Sequence, residues 1–143
     1  VTQLVTTGTQ DPPPKQGTGY FINPLPGSMI TSRYGTRSGG FHRGQDMAKA
    51  AGSYIYAADG GTVTYAGWLP SYGNTVKIDH GGGFTTLYAH CSDIYVSSGE
   101  AVYQGKTIAA VGSTGVSTGP HLHIEIRKYE SLLNPAEYIG TYY

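Results

Sequence analysis

The sequence predicts an all-β domain, mostly antiparallel, folded as a sandwich or barrel-like sheet with at most one short helix near the C-terminus. Three observations carry that expectation. Short runs alternate apolar and polar residues with a period of two, the spacing of a half-buried strand. Turn residues separate these runs at the close, even intervals of sandwiches and barrels, with 22 glycines available for the bends. Tyrosine (13 residues) far outnumbers Phe (3) and Trp (1), a mix that suits strands with an amphipathic, ligand-facing surface.

Taken in order, residues 1–19 read as a linker or an extended N-terminal arm. Asp11-Pro12-Pro13-Pro14 can be neither helix nor central strand, because consecutive prolines remove donors and fix an extended backbone. Residues 20–143 read as one domain, starting near Tyr20-Phe21-Ile22. Met29–Ser32 is a short strand, followed by a Gly-rich connection through Gly35, Gly39 and Gly40. Ser53 to Ala57 and Gly61 to Trp68 are strands around the turn Asp59-Gly60-Gly61. Asn74 to His80 alternates, with Val76 and Ile78 inward and Thr75, Lys77 and Asp79 outward. His80-Gly81-Gly82-Gly83 is a turn, so Phe84 to His90 returns as the second arm of a hairpin. Ile94 to Ser97, Ala101 to Tyr103 and Lys106 to Val111 are further short strands. The helix candidate is 134–139, where Asn134 caps and Pro135 takes the first helical position.

Composition narrows the function. Nine basic residues balance nine acidic ones and charged residues make up 13% of the chain, so no basic patch supports a nucleic-acid or membrane-surface role. No apolar run reaches the roughly 20 residues of a membrane-spanning helix. With no initiator Met and no signal segment, the chain reads as the mature or internal part of a longer one, acting as a monomer or within a multidomain protein. The single cysteine, Cys91, forms no internal disulfide and reads as a small buried apolar residue.

Chemistry concentrates in three places. His42 and Asp46, four apart, offer a nitrogen and an oxygen suited to zinc. Fully extended, their Cα atoms would stand roughly 13 Å apart. Sharing one ion therefore requires a bend, and Gly44 permits one. Gly119-Pro120-His121-Leu122-His123-Ile124-Glu125-Ile126-Arg127 alternates without a slip: His121, His123 and Glu125 fall on one face, the aliphatic residues on the other. The two histidine Cα atoms lie roughly 6.7 Å apart, so both rings address one small volume. A zinc that activates water needs three protein ligands and an open position. His42, Asp46 and one of this pair complete that set, and the other is left for proton transfer. Glu125 either orients a ligand or is simply solvated. His90 closes its strand, with Tyr88 on the same face and Leu87 and Ala89 on the other; it reads as a second acid/base group or an oxyanion stabiliser. His80 reads as an ordinary turn histidine. Arg33, Tyr34, Arg37, Tyr72 and Asn74 sit in loops where a substrate could be held, and Tyr34, Tyr72 and Asn74 are the substrate-binding candidates.

His42-x-x-x-Asp46, then Tyr88-Ala89-His90, then His121-Leu122-His123 resemble the LytM/lysostaphin-like zinc metallopeptidases of peptidase family M23. The resemblance spans roughly residues 28–139 and includes Thr31-Ser32-Arg33-Tyr34-Gly35, Tyr56 to Val63, Tyr72-Gly73-Asn74, Gly112 to Gly115 and Asn134-Pro135. It implies a β domain with one zinc in a groove, ligated by His42, Asp46 and His123, with His90 and His121 as the catalytic histidines. It also implies an extracytoplasmic endopeptidase, secreted, wall-associated or carried on a phage particle, that hydrolyses peptide bonds in peptidoglycan stems or cross-bridges. Some relatives have lost ligand residues and only activate other wall hydrolases, whereas here every motif position is filled; the alternative for this chain is a non-hydrolytic wall-binding or hydrolase-activating module. Arg43, bulky and basic after the first ligand, and Cys91, after the motif histidine, depart from the pattern and bear on substrate fit.

Overall fold

Glycines place the chain reversals and alternating runs fill the spans between them. The computed structural model describes residues 17–139; residues 1–16, which hold most of the expected arm, and residues 140–143 lie outside that range. The strands are β1 (Met29–Ser32), β2 (Gly35–Arg37), β3 (Gly40–His42), β4 (Gln45–Ala48), β5 (Tyr54–Tyr56), β6 (Gly61–Leu69), β7 (Gly73–Gly81), β8 (Phe84–Ile94), β9 (Ala101–Val102), β10 (Thr107–Val111), β11 (His121–Lys128) and β12 (Ser131–Leu133), followed by helix α1 (Ala136–Ile139). The all-β expectation holds, and every pairing is antiparallel.

The main sheet runs β1-β4-β11-β8-β7-β6-β9, with β12 on β11, and β10 joining β5 to the far end of β8. The hairpin β2–β3 forms a separate small sheet. The β7–β8 turn passes through Gly81, Gly82 and Gly83 at φ 83°, 62° and 88°, a left-handed run that side chains other than glycine's rarely adopt. Asn134 caps α1 as expected, its Oδ1 accepting the Ala136 N–H at 3.1 Å.

One face of the sheet buries Met47, Val76, Ile78, Tyr88, Leu122, Ile124 and Ile126 with Ile55, Val102 and Ile108. Burying a side chain of this kind is worth about 1.5–3 kcal/mol each, so this apolar layer is the main driving force for the fold. The opposite face is left for chemistry, and β11 lies between β4 and β8 with His123 in register with Asp46 on one side and Ala89 on the other.

The structure corrects several strand-level expectations. The Gly-rich connection at 35–40 is the hairpin β2–β3, and β12 was not anticipated; both are too short to show a period. Residues 95–97 form no strand, because β8 runs on to Ile94 by exchanging β7 and β11 for β10. The turn at Asp59 does not make a hairpin: β5 pairs with β10 while β6 pairs with β7 and β9. Thr75, expected outward, is fully buried, its hydroxyl donating to the Gly73 carbonyl at 3.0 Å.

The face assignment around His90 is also overturned. Tyr88 lies in the core with Cys91, whereas Leu87 lines a depression on the other face. Between Asn74↔Cys91 and Val76↔Tyr88 the register slips, so Ala89 and His90 together oppose Thr75. His90 sits at φ 63°, and this β-bulge carries its ring away from the face that Tyr88 occupies.

Candidate metal centre and active site

Five residues from four strands converge where β4, β11 and β8 lie side by side. His42 ends β3, Asp46 lies in β4, His121 and His123 in β11, and His90 at the β8 bulge. The chain does bend between His42 and Asp46, though not through a left-handed glycine. Gly44 is buried, and a Cβ there would lie 2.2 Å from the Ile124 carbonyl oxygen and 3.0 Å from His123 Cε1. The absence of a side chain lets β4 close against β11, which brings the two ligand motifs together.

Asp46 Oδ1 is the hub. It stands 2.7 Å from His123 Nδ1, 3.3 Å from His42 Nε2 and 3.8 Å from His121 Nε2. One ligand atom each from His42, Asp46 and His123 falls within 4.8 Å of the others. Each imidazole is held by its other nitrogen. His42 Nδ1 lies 2.9 Å from the Arg33 carbonyl and 3.3 Å from Ser32 Oγ. His123 Nε2 lies 2.9 Å from Glu125 Oε2. Such partners fix the tautomer and leave one nitrogen aimed at the shared centre.

His121 and His90 are anchored through Nδ1, as His42 is. Their Nδ1 atoms face backbone carbonyls, Gly119 O at 2.8 Å and Thr114 O at 2.7 Å, so each Nδ1–H donates and each Nε2 is bare. The two rings stand 4.7 Å apart between centroids. With His42, Asp46 and His123 they line a depression of about 330 Å³, whose remaining wall is Arg37 and the residues Val116, Ser117 and Thr118.

Glu125 is the most deeply buried of the three polar residues on this face, at 1% exposure rather than solvated. Its carboxylate takes His123, the Tyr72 hydroxyl at 2.6 Å and Arg127 Nη2 at 3.1 Å. Burial alone would raise its pKa, but these donors, His123 first, hold it down at about 2. Burial likewise opposes charge on His123, yet the carboxylates of Asp46 and Glu125 outweigh it and raise that pKa to about 9. Asp46 is lowered: desolvation resists, and the histidines, led by His123, prevail. Both shifts favour positive charge beside the Asp46 carboxylate, the charge that a bound cation would also supply. Two imidazoles and one carboxylate within ligand reach fit zinc, which takes such donors and keeps an open position in catalytic sites.

Tyr72 and Glu125 also line a larger depression of about 520 Å³ beside His123, with Arg43, Lys77 and Arg127 among its walls. Of the loop candidates, Tyr72 hydrogen-bonds to the Glu125 carboxylate that backs a ligand. Tyr34 packs edge-to-face on Phe41 at 5.1 Å between centroids. The Asn74 amide ties down the carbonyls of Cys91 and, at 3.5 Å, Ser92. Sequence reasoning did not single out Arg127 or rank Arg37. Arg127 was legible, because it continues the parity of His121, His123 and Glu125. The carbonyls of Gly119, Thr114 and Arg33 carry no side-chain signal. Cys91 is fully buried, its thiol pushed up to about 12 by burial, and it takes no part in the cluster.

The profile of peptidase family M23 matches residues 40–135, a span that contains all five of these residues. The chain belongs to peptidase family M23. It is 41% identical over 123 residues to the DD-carboxypeptidase/endopeptidase Mpg of Neisseria meningitidis, a match that takes in 82% of this chain and 28% of that protein. It therefore spans little more than a quarter of that relative's length. Among solved structures it is similar to a zinc-containing peptidase of Vibrio cholerae (TM-score 0.74, 31% identity, 80% of this chain and 39% of the other). It is also similar to the catalytic domain, as an A109H mutant, of the prophage-encoded M23 protein EnpA of Enterococcus faecalis (TM-score 0.72, 33% identity, 80% of this chain and 97% of the other).

Proposed function

We propose that this M23 domain is a zinc-dependent endopeptidase that hydrolyses peptide bonds in the stems or cross-bridges of bacterial peptidoglycan, outside the cytoplasm. The observation that carries the reading is the convergence of His42, Asp46 and His123, whose ligand atoms all lie within 4.8 Å of one another. His42 Nε2 and His123 Nδ1 stand 3.3 and 2.7 Å from Asp46 Oδ1, whereas His121 Nε2 lies farther off at 3.8 Å, and it and His90 line the same depression. His42, Asp46 and His123 would hold the ion, which when bound polarises the scissile carbonyl and acidifies water.

The chain's own groups do the rest. Either His121 or His90 accepts a proton from the attacking water at its bare Nε2 and later delivers it to the leaving amine as the C–N bond breaks. The other imidazole, in its protonated form, steadies the oxyanion of the tetrahedral intermediate, Nδ1–H remaining on its backbone carbonyl and Nε2–H donating to the oxygen. Glu125, held by Tyr72 and Arg127, keeps the His123 ring oriented through Nε2. The names of relatives support the substrate class, two of them being peptidoglycan DD-endopeptidases of Vibrio cholerae, and the lipoproteins and the cell division protein among them support a place outside the cytoplasm. No helix among the described residues is long and apolar enough to cross a membrane.

The test combines zinc stoichiometry with release of new amino groups from purified peptidoglycan, with and without chelator. One zinc per chain and chelator-sensitive release are expected. His123→Ala loses both zinc and lysis; His121→Ala keeps zinc and loses turnover by at least about 100-fold, the scale of a general acid/base. Wild-type lysis by His121→Ala overturns the assignment, and a chain without zinc that still binds walls supports a non-hydrolytic wall-binding or activating module instead.

A further inference from the structure

Arg37 is the one permanent cation in the wall of the depression that holds the candidate metal cluster. It ends β2, its side chain is exposed, and one of its N–H groups is donated to Ser32 Oγ. Ser32 Oγ in turn lies 3.3 Å from His42 Nδ1, so the guanidinium is tethered to the residue that backs a ligand. Among the described residues no carboxylate stands within ion-pair distance of Arg37. The carboxylate in the same depression, Asp46, is engaged by three histidines. The facing wall, Val116, Ser117 and Thr118, carries no charge.

A guanidinium presents five donors in a planar fork that matches a carboxylate in bidentate fashion. With one donor used on Ser32, the rest of the fork is available to whatever enters the groove. We propose that Arg37 forms a carboxylate subsite beside the scissile bond and makes the enzyme select stem peptides with a free carboxylate over their amidated counterparts. That carboxylate is either the C-terminal one of a stem or the side-chain carboxylate of a diamino acid within it. The inference rests on the peptidase reading for its substrate class, but its readout does not depend on turnover.

The experiment uses the zinc-loaded full chain and three matched synthetic stem peptides: both carboxylates free, the terminal one amidated, and the side-chain one amidated. Kd is measured by calorimetry, and KM and kcat wherever cleavage occurs. One of the two amidations weakens binding about tenfold, the loss of one charge-assisted pair, and thereby names the carboxylate that is read. Arg37→Gln abolishes that difference while zinc content and thermal midpoint stay at wild-type values; Arg37→Lys, which keeps the charge and loses the fork, retains part of it. Equal affinity of the wild type for all three peptides overturns the proposal. So does undiminished discrimination in Arg37→Gln, which would assign it to the metal. Acid-selective binding without cleavage would leave the subsite standing and bring down the peptidase reading alone.

Discussion

His90 holds a backbone conformation that costs a β-carbon-bearing residue about 1–3 kcal/mol, with φ at 63° in the middle of an eleven-residue strand. That strain is what separates its ring from Tyr88, two positions earlier, which is sealed in the core at 0% exposure. Replacing His90 by glycine should relieve the strain while removing the ring's hydrogen bond to Thr114, worth about 1 kcal/mol, so the two changes nearly cancel. His90→Gly is expected to melt within a few degrees of the wild type and to lose peptidoglycan hydrolysis. His90→Val, β-branched in the same conformation, should melt well below it; equal midpoints for Gly and Val would show that the strain is not real. The role of His90 as a candidate was legible from its motif, but its orientation was not. Strict alternation put it with Tyr88, since a bulge inserts one residue without any mark in the hydrophobic pattern. Glu125 shows the converse: its parity with His121 and His123 was visible, and its burial was decided by Tyr72, 53 positions away.

At the scale of elements, the site exists because β4 and β11 approach with nothing between them. The spacing of His42 and Asp46 demanded a bend, and that much could be reasoned from strand geometry. The reason for glycine was different: Gly44 is required for close approach to the Ile124 carbonyl, a contact with a strand some 80 residues later that local spacing cannot reveal. Gly44→Ala must push β4 from β11 or distort both, at a cost of about 1–3 kcal/mol as for other overpacked positions. Its lowered urea midpoint should be accompanied by weaker zinc retention, measured by competition with a chromogenic chelator, because the displaced strand carries Asp46. Unchanged stability and zinc affinity would mean that the two strands are free to part there. The long alternating strands β6, β7, β8 and β11 were all legible, as was the cap of α1. The three-residue strands β2, β3 and β12 were not, since their pairing is set by partners rather than by a period of their own.

Across the whole molecule, the polar site on one face is balanced by a second polar node on the side of the N-terminal segment. His80, read from the sequence as an ordinary turn residue, is buried at 2% exposure. Its Nδ1–H donates to the Gly60 carbonyl at 2.7 Å, and its Nε2 stands 2.7 Å from Thr86 Oγ1. Thr86 Oγ1 lies 2.8 Å from the Tyr88 hydroxyl, which accepts the Ala58 N–H at 2.9 Å. Next to this chain, the fully buried Asp59 accepts the backbone N–H groups of Thr18 and Gly19, and the His80 carbonyl accepts that of Gly17. The node thus joins residues 17–19 to β7 and β8. Burial lowers the His80 pKa below its ordinary value of about 6.5, although the Gly60 carbonyl, Asp59 and Asp79 all pull the other way. Above about pH 6.5 the ring is neutral in both folded and unfolded chains; below it the unfolded chain takes up a proton that the folded one refuses. Stability should therefore fall with falling pH, by at most about 1.4 kcal/mol per pH unit from this ring, until the folded-state pKa is passed. His80→Asn keeps a donor for Gly60 and does not titrate, so at neutral pH it should be less stable by about 1 kcal/mol for the lost Thr86 bond. Urea unfolding of both proteins in the same metal state, from about pH 7.5 down to about pH 5, cancels the contributions of the other histidines. The wild type's advantage should shrink as pH falls, and a constant gap would place the acid sensitivity of the fold elsewhere than in this buried ring.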